Sequence, residues 1–311
     1  MSRRYSLIAF LAISVALFGC GKSKQAEQLP VFCKQDGSRL HLKQGKLRME
    51  IVPNVAGRIS SLTYDGHEFL VTDSDQSKIT DWGTVFWSSP QSEWNWPPID
   101  TLDSKPYTLG SNEDRLVLTS DVDKKTGYQF TKTYFPAGDE RIAVTYRITN
   151  HSDREKNVAP LEVTRLPPSG ELFYPSGDTE TTSGIFYPLD VQSIGGLTWY
   201  HYDAKKIRTD HHKVMQDGKE GWFAYVDKGY LLVKEFADNP PAAIAAGERE
   251  IEIFAHVEHI FIEMKQQGAS VALAPGEHLE WTVIWHVKKL PDDLAKSNDP
   301  QLLAAYVRSL L

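Results

Sequence analysis

Residues 46–52 alternate Leu47, Met49 and Ile51 with Lys46, Arg48 and Glu50, a period of two that predicts a strand with one buried face. Residues 57–64 and 67–70 read as a second pair of strands joined by Asp65-Gly66. That dipeptide suits a type I′ hairpin turn, whose two central positions both need positive φ. Further strands are predicted over 115–120, 128–135, 142–150, 222–226, 230–236, 250–255, 260–264, 271–274 and 279–287, with Asp227-Lys228-Gly229 marking another hairpin. In the last of these, Leu279, Trp281, Val283, Trp285 and Val287 share one face, which assigns both tryptophans to the core. One helix is predicted near the C-terminus, with Asp299 as N-cap, Pro300 in the first turn and a stripe of Leu302, Leu303, Tyr306 and Val307. The pattern is that of one large, mostly antiparallel all-β domain with a short helix packed outside it.

The stretch 81–98, DWGTVFWSSPQSEWNWPP, breaks this pattern. It holds Trp82, Trp87, Trp94 and Trp96 among Ser, Gln, Asn, Glu and proline, a composition that predicts a rigid aromatic loop. Indole faces beside short polar side chains suit the stacking and hydrogen bonding that a sugar ring requires. Gln91, Glu93 and Asn95 would supply polar contacts. The other reading is a loop whose tryptophans plug the end of the β-structure.

The chain opens with Arg3 and Arg4, an apolar run from Leu7 to Phe18 and then Gly19-Cys20-Gly21, the tripartite layout of a secretory signal. Leu17-Phe18-Gly19-Cys20 resembles a bacterial lipobox, which implies lipidation of Cys20 and a membrane partner through that anchor. The expected layout is a signal peptide over 1–19, a lipidated N-terminus and tether over 20–36, a β-domain over 37–290 and a helical tail over 291–311. The expected location is the bacterial cell envelope, at the outer membrane where the host has one. Removing the signal leaves 32 basic against 41 acidic residues, a balance that repels nucleic acid. Cys33 would be the remaining cysteine, so no internal disulfide is expected. No cofactor or metal motif is present, and neither is expected.

Three stretches resemble the galactose-mutarotase-like β-supersandwich of aldose 1-epimerases: Val55–Leu62 closing on Asp65-Gly66, residues 130–150, and Ile260-Phe261-Ile262-Glu263-Met264 followed by Pro275-Gly276. With Leu161-Glu162-Val163-Thr164-Arg165-Leu166-Pro167-Pro168 and the Trp-rich stretch, the chain looks closest to a bacterial lipoprotein family of unknown function with this fold. The resemblance implies Glu263 as a catalytic base, and strand parity sets Glu263 and Phe261 opposite Ile260, Ile262 and Met264, on the cavity side if those three face the core. A solvent-facing carboxylate is the other reading. Epimerases carry their acid histidine where this chain has Glu162-Val163-Thr164-Arg165, leaving His201, within Trp199-Tyr200-His201-Tyr202, as the candidate acid. His211 and His212 read as parts of a solvated loop. Glu162 and Arg165 are candidate sugar contacts, Arg165 for hydroxyls or a sugar carboxylate; the other reading pairs Arg165 with Glu162 or another acid. The expected ligand is a carbohydrate held in a concave cup. Catalysis through Glu263 and a purely structural envelope role are the alternatives.

Overall fold

The computed structural model describes residues 29–72, 81–112, 114–297 and 299–311. The expected signal peptide, Cys20 and the first part of the tether lie outside them. Among the described residues the chain forms a 12-stranded and a 10-stranded sheet whose facing sides share one apolar core. The first sheet is centred on Arg58–Tyr64, Thr84–Ser89, Lys156–Leu166, Ile262–Gln267, Ile251–Ala255 and His212–Gln216, in that order. The second is centred on Trp222–Asp227, Tyr230–Glu235, His278–Lys289, Arg141–Asn150 and Tyr128–Pro136. This is the expected all-β supersandwich.

The alternations meet the core as predicted: Leu47, Met49 and Ile51 are buried, as are Leu279, Trp281, Val283, Trp285 and Val287. Asp65 and Gly66 both have positive φ, as do Lys228 and Gly229, so both hairpins turn in the expected way. The helix Pro300–Arg308 is capped by the Asp299 side chain, which accepts from the Gln301 amide. It lays Leu303, Ala304 and Val307 against Phe173, Trp199 and Trp222 on the outer side of the second sheet, whereas Leu302 is exposed. Cys33–Asp36, expected within the tether, pairs with Arg39–Gln44 as the first sheet's edge.

The Trp-rich stretch departs from the loop expectation. Thr84–Ser89 is a central strand, paired along Lys156–Leu166 and buried at every position. It shows no apolar alternation because it is covered on both faces, Phe86 inward and Trp87 outward. Gly83 starts it: its φ is +65°, and a Cβ there would lie 2.1 Å from the Ile59 carbonyl oxygen.

Lys156–Leu166 carries polar side chains into the core. Glu162, expected to contact sugar, instead points between the sheets. It accepts from Lys234 Nζ, from the Tyr146 hydroxyl and from Gln266 Nε2 at 2.6 Å. Lys234 also donates to Thr164 Oγ1 at 3.1 Å and lies against the Trp285 ring. Burial holds the Lys234 ammonium down to about 7, against the pull of Glu162. Removing one partner of such a pair strands the other charge. Lys234→Ala is therefore expected to lower the unfolding free energy by roughly 3–5 kcal/mol, read by urea denaturation. A loss below about 1 kcal/mol would contradict a charge-paired interior.

Candidate functional site

The strand alternation that sends Glu162 inward sends Arg165 to the outer face of the first sheet, where neighbouring strands answer it. Cross-strand register sets Arg165 opposite Glu263, and Glu252 opposite Lys265. Lys213 stands one strand further, opposite Phe254. The side chains form a ladder of alternating charge. Lys213 Nζ lies 3.0 Å from Glu252 Oε2 and Lys265 Nζ lies 2.7 Å from Glu252 Oε1. Lys265 Nζ is also 2.8 Å from Glu263 Oε2, and Arg165 Nε is 3.1 Å from Glu263 Oε1. Arg165 Nη2 then reaches Asp81 Oδ1 at 3.3 Å. Every member except Asp81 is buried.

This ladder floors a cleft of about 430 Å³. Aromatic rings stand over its cations: Arg165 lies between Trp87 and Phe261 at 5.7 and 5.6 Å, Lys265 lies 5.2 Å from Phe254 and Lys213 lies 4.8 Å from Phe186. Such contacts stabilise desolvated cations. Trp96, 68% exposed, stands at the rim and meets Trp87 edge-on at 6.3 Å. His211 and His256 complete the lining with ring centroids 4.5 Å apart. Burial, helped by the neighbouring His211, lowers the His256 pKa and favours its neutral form.

The sequence-predicted residues separate accordingly. Trp87, Gln91, Trp96, Arg165 and Glu263 come together in the cleft. Trp94, 8% exposed, packs behind Trp87 and donates Nε1 to the Ser88 carbonyl. Trp82 stacks on the Arg58 guanidinium at 4.6 Å, and Arg58 binds Asp103. Asp103 also accepts from Trp87 Nε1 at 2.7 Å, so Trp82 props the site from behind. Glu93 turns away to Tyr128 and Lys156, and Asn95 is exposed without lining the cleft. His201 lies on the second sheet, bound to Glu171 at 3.0 Å, and lines a different depression. It does not meet Glu263. The expected pairing of these two residues fails because their strands belong to different sheets.

Lys213, Glu252, Lys265, Phe254 and His256 were missed as site residues, and His211 was read as solvated. Their signal was faint: in Ile251–Ala255 Glu252 shares a face with Phe254, and in Ile262–Gln267 Glu263 shares a face with Lys265. Complementary charge emerges only when register sets the strands side by side.

Comparison places this geometry in a family. Residues 41–288 match the model for the domain of unknown function DUF4380. The chain belongs to that family. No curated protein matches it in sequence. Solved structures with the same fold include a galactose mutarotase-like protein from Lactobacillus casei, with TM-score 0.57, 12% identity, and coverage of 80% of this chain and 100% of that one. A putative aldose 1-epimerase from Escherichia coli K12 gives TM-score 0.54 at 14% identity over 80% of this chain and 98% of that one. The Slr1438 protein from Synechocystis gives 0.56 at 11% identity over 85% and 100%. This member of DUF4380 thus has a galactose-mutarotase-like supersandwich.

Glu263 lies on the cavity side, but both carboxylate oxygens are engaged. Burial alone would raise its pKa; Lys265 and Arg165 overcome that and hold it below the usual carboxylate range. Such a group is a weak proton acceptor. Its depressed pKa adds stability that is present above the unfolded value of about 4.5 and lost as pH falls through the lower folded value. Glu263→Gln is accordingly expected to be less stable than the parent near pH 7, with the gap narrowing as pH drops below about 4.5. Denaturation series from pH 3 to 7 read this, and a constant gap would contradict an ionised, doubly paired Glu263.

Proposed function

We propose that the cleft binds a carbohydrate and that the chain is a binding protein of the cell envelope, tethered by a lipid on Cys20. The observation that carries this reading is the arrangement around the floor: Trp87, Trp96, Phe186, Phe254 and Phe261 surround a buried polar ladder in one cleft. Aromatic faces suit the C–H faces of a sugar, and the N–H groups beneath them suit its hydroxyls. The fold shared with mutarotase-like proteins supports the ligand class. The engagement of Glu263 on both sides favours binding over Glu263-driven proton transfer.

A glycan array probed with the full-length protein in detergent tests the reading. Saturable binding to a sugar class is expected, weakened about tenfold or more, roughly 1.4 kcal/mol, by Trp96→Ala. That exposed substitution should move stability by less than about 0.5 kcal/mol. No binding to any glycan, or binding indifferent to Trp96, would overturn the site. The tether is tested separately. Metabolic labelling with a radiolabelled fatty acid should mark the parent and not Cys20→Ser, and an unlabelled parent would remove the anchor.

A further inference from the structure

The hydrogen-bonding capacity left open at the floor of the cleft is mostly of one kind, while Gln91 in the wall offers both donors and an acceptor. Glu252 and Glu263 each have both oxygens bound to cations of the ladder. The donors are not used up. Arg165 Nη1, on a side chain only 2% exposed, has no hydrogen-bond partner. Lys213 Nζ makes a single salt bridge, to Glu252, and retains further N–H groups. His211 Nδ1 accepts from the Val257 amide at 3.2 Å, and His256 Nδ1 accepts from the Glu258 amide at 3.2 Å. A ring whose Nδ1 accepts keeps its proton on Nε2, so each histidine has a donor left to offer. Asp81 is the one carboxylate of the ladder with an oxygen free of it.

A neutral sugar brings hydroxyls that both donate and accept, and it would leave this excess of N–H groups poorly matched. Leaving a buried donor unsatisfied is costly, and more so when it is charged. An acceptor-only group removes that cost. The ladder sets three cations, Lys213, Lys265 and Arg165, against three carboxylates, Asp81, Glu252 and Glu263. A balanced floor of this kind accommodates one added negative charge more readily than two. We infer that the sugar recognised in this cleft is a sugar acid, its carboxylate received at the cationic floor by Arg165, with Lys213 adding positive charge further along that floor. Arg165 Nη1 is the donor left on a guanidinium whose Nε and Nη2 are engaged by Glu263 and Asp81, and Lys213 stands three strands away along the ladder.

The inference rests on the carbohydrate reading above, and calorimetry of the full-length protein in detergent separates the two. Galacturonate and glucuronate are compared with galactose, glucose and the two hexose 6-phosphates. Uronates are expected to bind at least tenfold more tightly than their neutral counterparts and more tightly than the phosphates. Lys213→Gln, which leaves Glu252 paired with Lys265, should reduce that preference at least threefold, the uronate losing more affinity than its neutral counterpart. Arg165→Lys, checked for folding by circular dichroism, should do the same. Equal affinity for uronates and neutral sugars would overturn the carboxylate and leave the carbohydrate reading standing. A preference for the phosphates would also overturn it and point to a dianion. No binding of any sugar would sink both readings. The comparison among ligands needs no variant, so a misfolded mutant cannot shelter the inference.

Discussion

The strand Lys156–Leu166 takes a carboxylate out of water on one face and a guanidinium out of water on the other. Neither burial is tolerable without a partner, since an unpaired buried charge costs several kcal/mol. Glu162 is answered from the opposite sheet by Lys234, and Arg165 from the adjacent strand by Glu263. One register satisfies both: the pairing that sets Arg165 opposite Glu263 also sets Glu162 opposite Gln266, which donates to it. A slip of one residue would exchange the faces and bring Arg165 toward the ammonium of Lys234. Interior and cleft are therefore fixed together.

The fold was largely readable because most strands bury one face only, and a half-buried strand writes its alternation into the sequence. Leu47–Val52 and His278–Lys289 do so plainly. Thr84–Ser89 and Lys156–Leu166 do not, because both faces are covered and several buried positions are polar. Composition pointed to a loop in the first case, yet the same stretch supplied Trp87 and Trp96, the aromatic wall the site uses. Strand parity put Glu263 on the correct side. Its partners were hidden because Lys213, Glu252 and Lys265 acquire meaning only from neighbours far along the chain, and period-two reasoning says nothing about which strands adjoin. His201 failed for the same reason: an aromatic neighbourhood in sequence did not translate into proximity to Glu263.

The supersandwich is shared with epimerase-like and mutarotase-like proteins at 12–14% identity, a level that transfers architecture and leaves chemistry open. Here the outer face of the first sheet is occupied by ion pairs that hold one another in place. Buried ion pairs are weak contributors to net stability but strong determinants of arrangement. In this protein they form a buried floor whose polar groups are oriented by one another, an arrangement of the kind that lowers the ordering cost of recognition.

Because each inner rung of the ladder pairs with two neighbours, a change at one inner rung weakens the pairing of two others. Losing Lys265 would leave Glu252 with Lys213 alone and Glu263 with Arg165 alone, and losing Glu263 would leave Lys265 with Glu252 and Arg165 with Asp81. Partners joined in this way sit on adjoining strands and yet are as far apart in the chain as residues 165 and 263. The ionic character of the cleft is thus a property of the strand arrangement as a whole, and a change at one inner rung is felt at both of its neighbours, however distant they are in the chain.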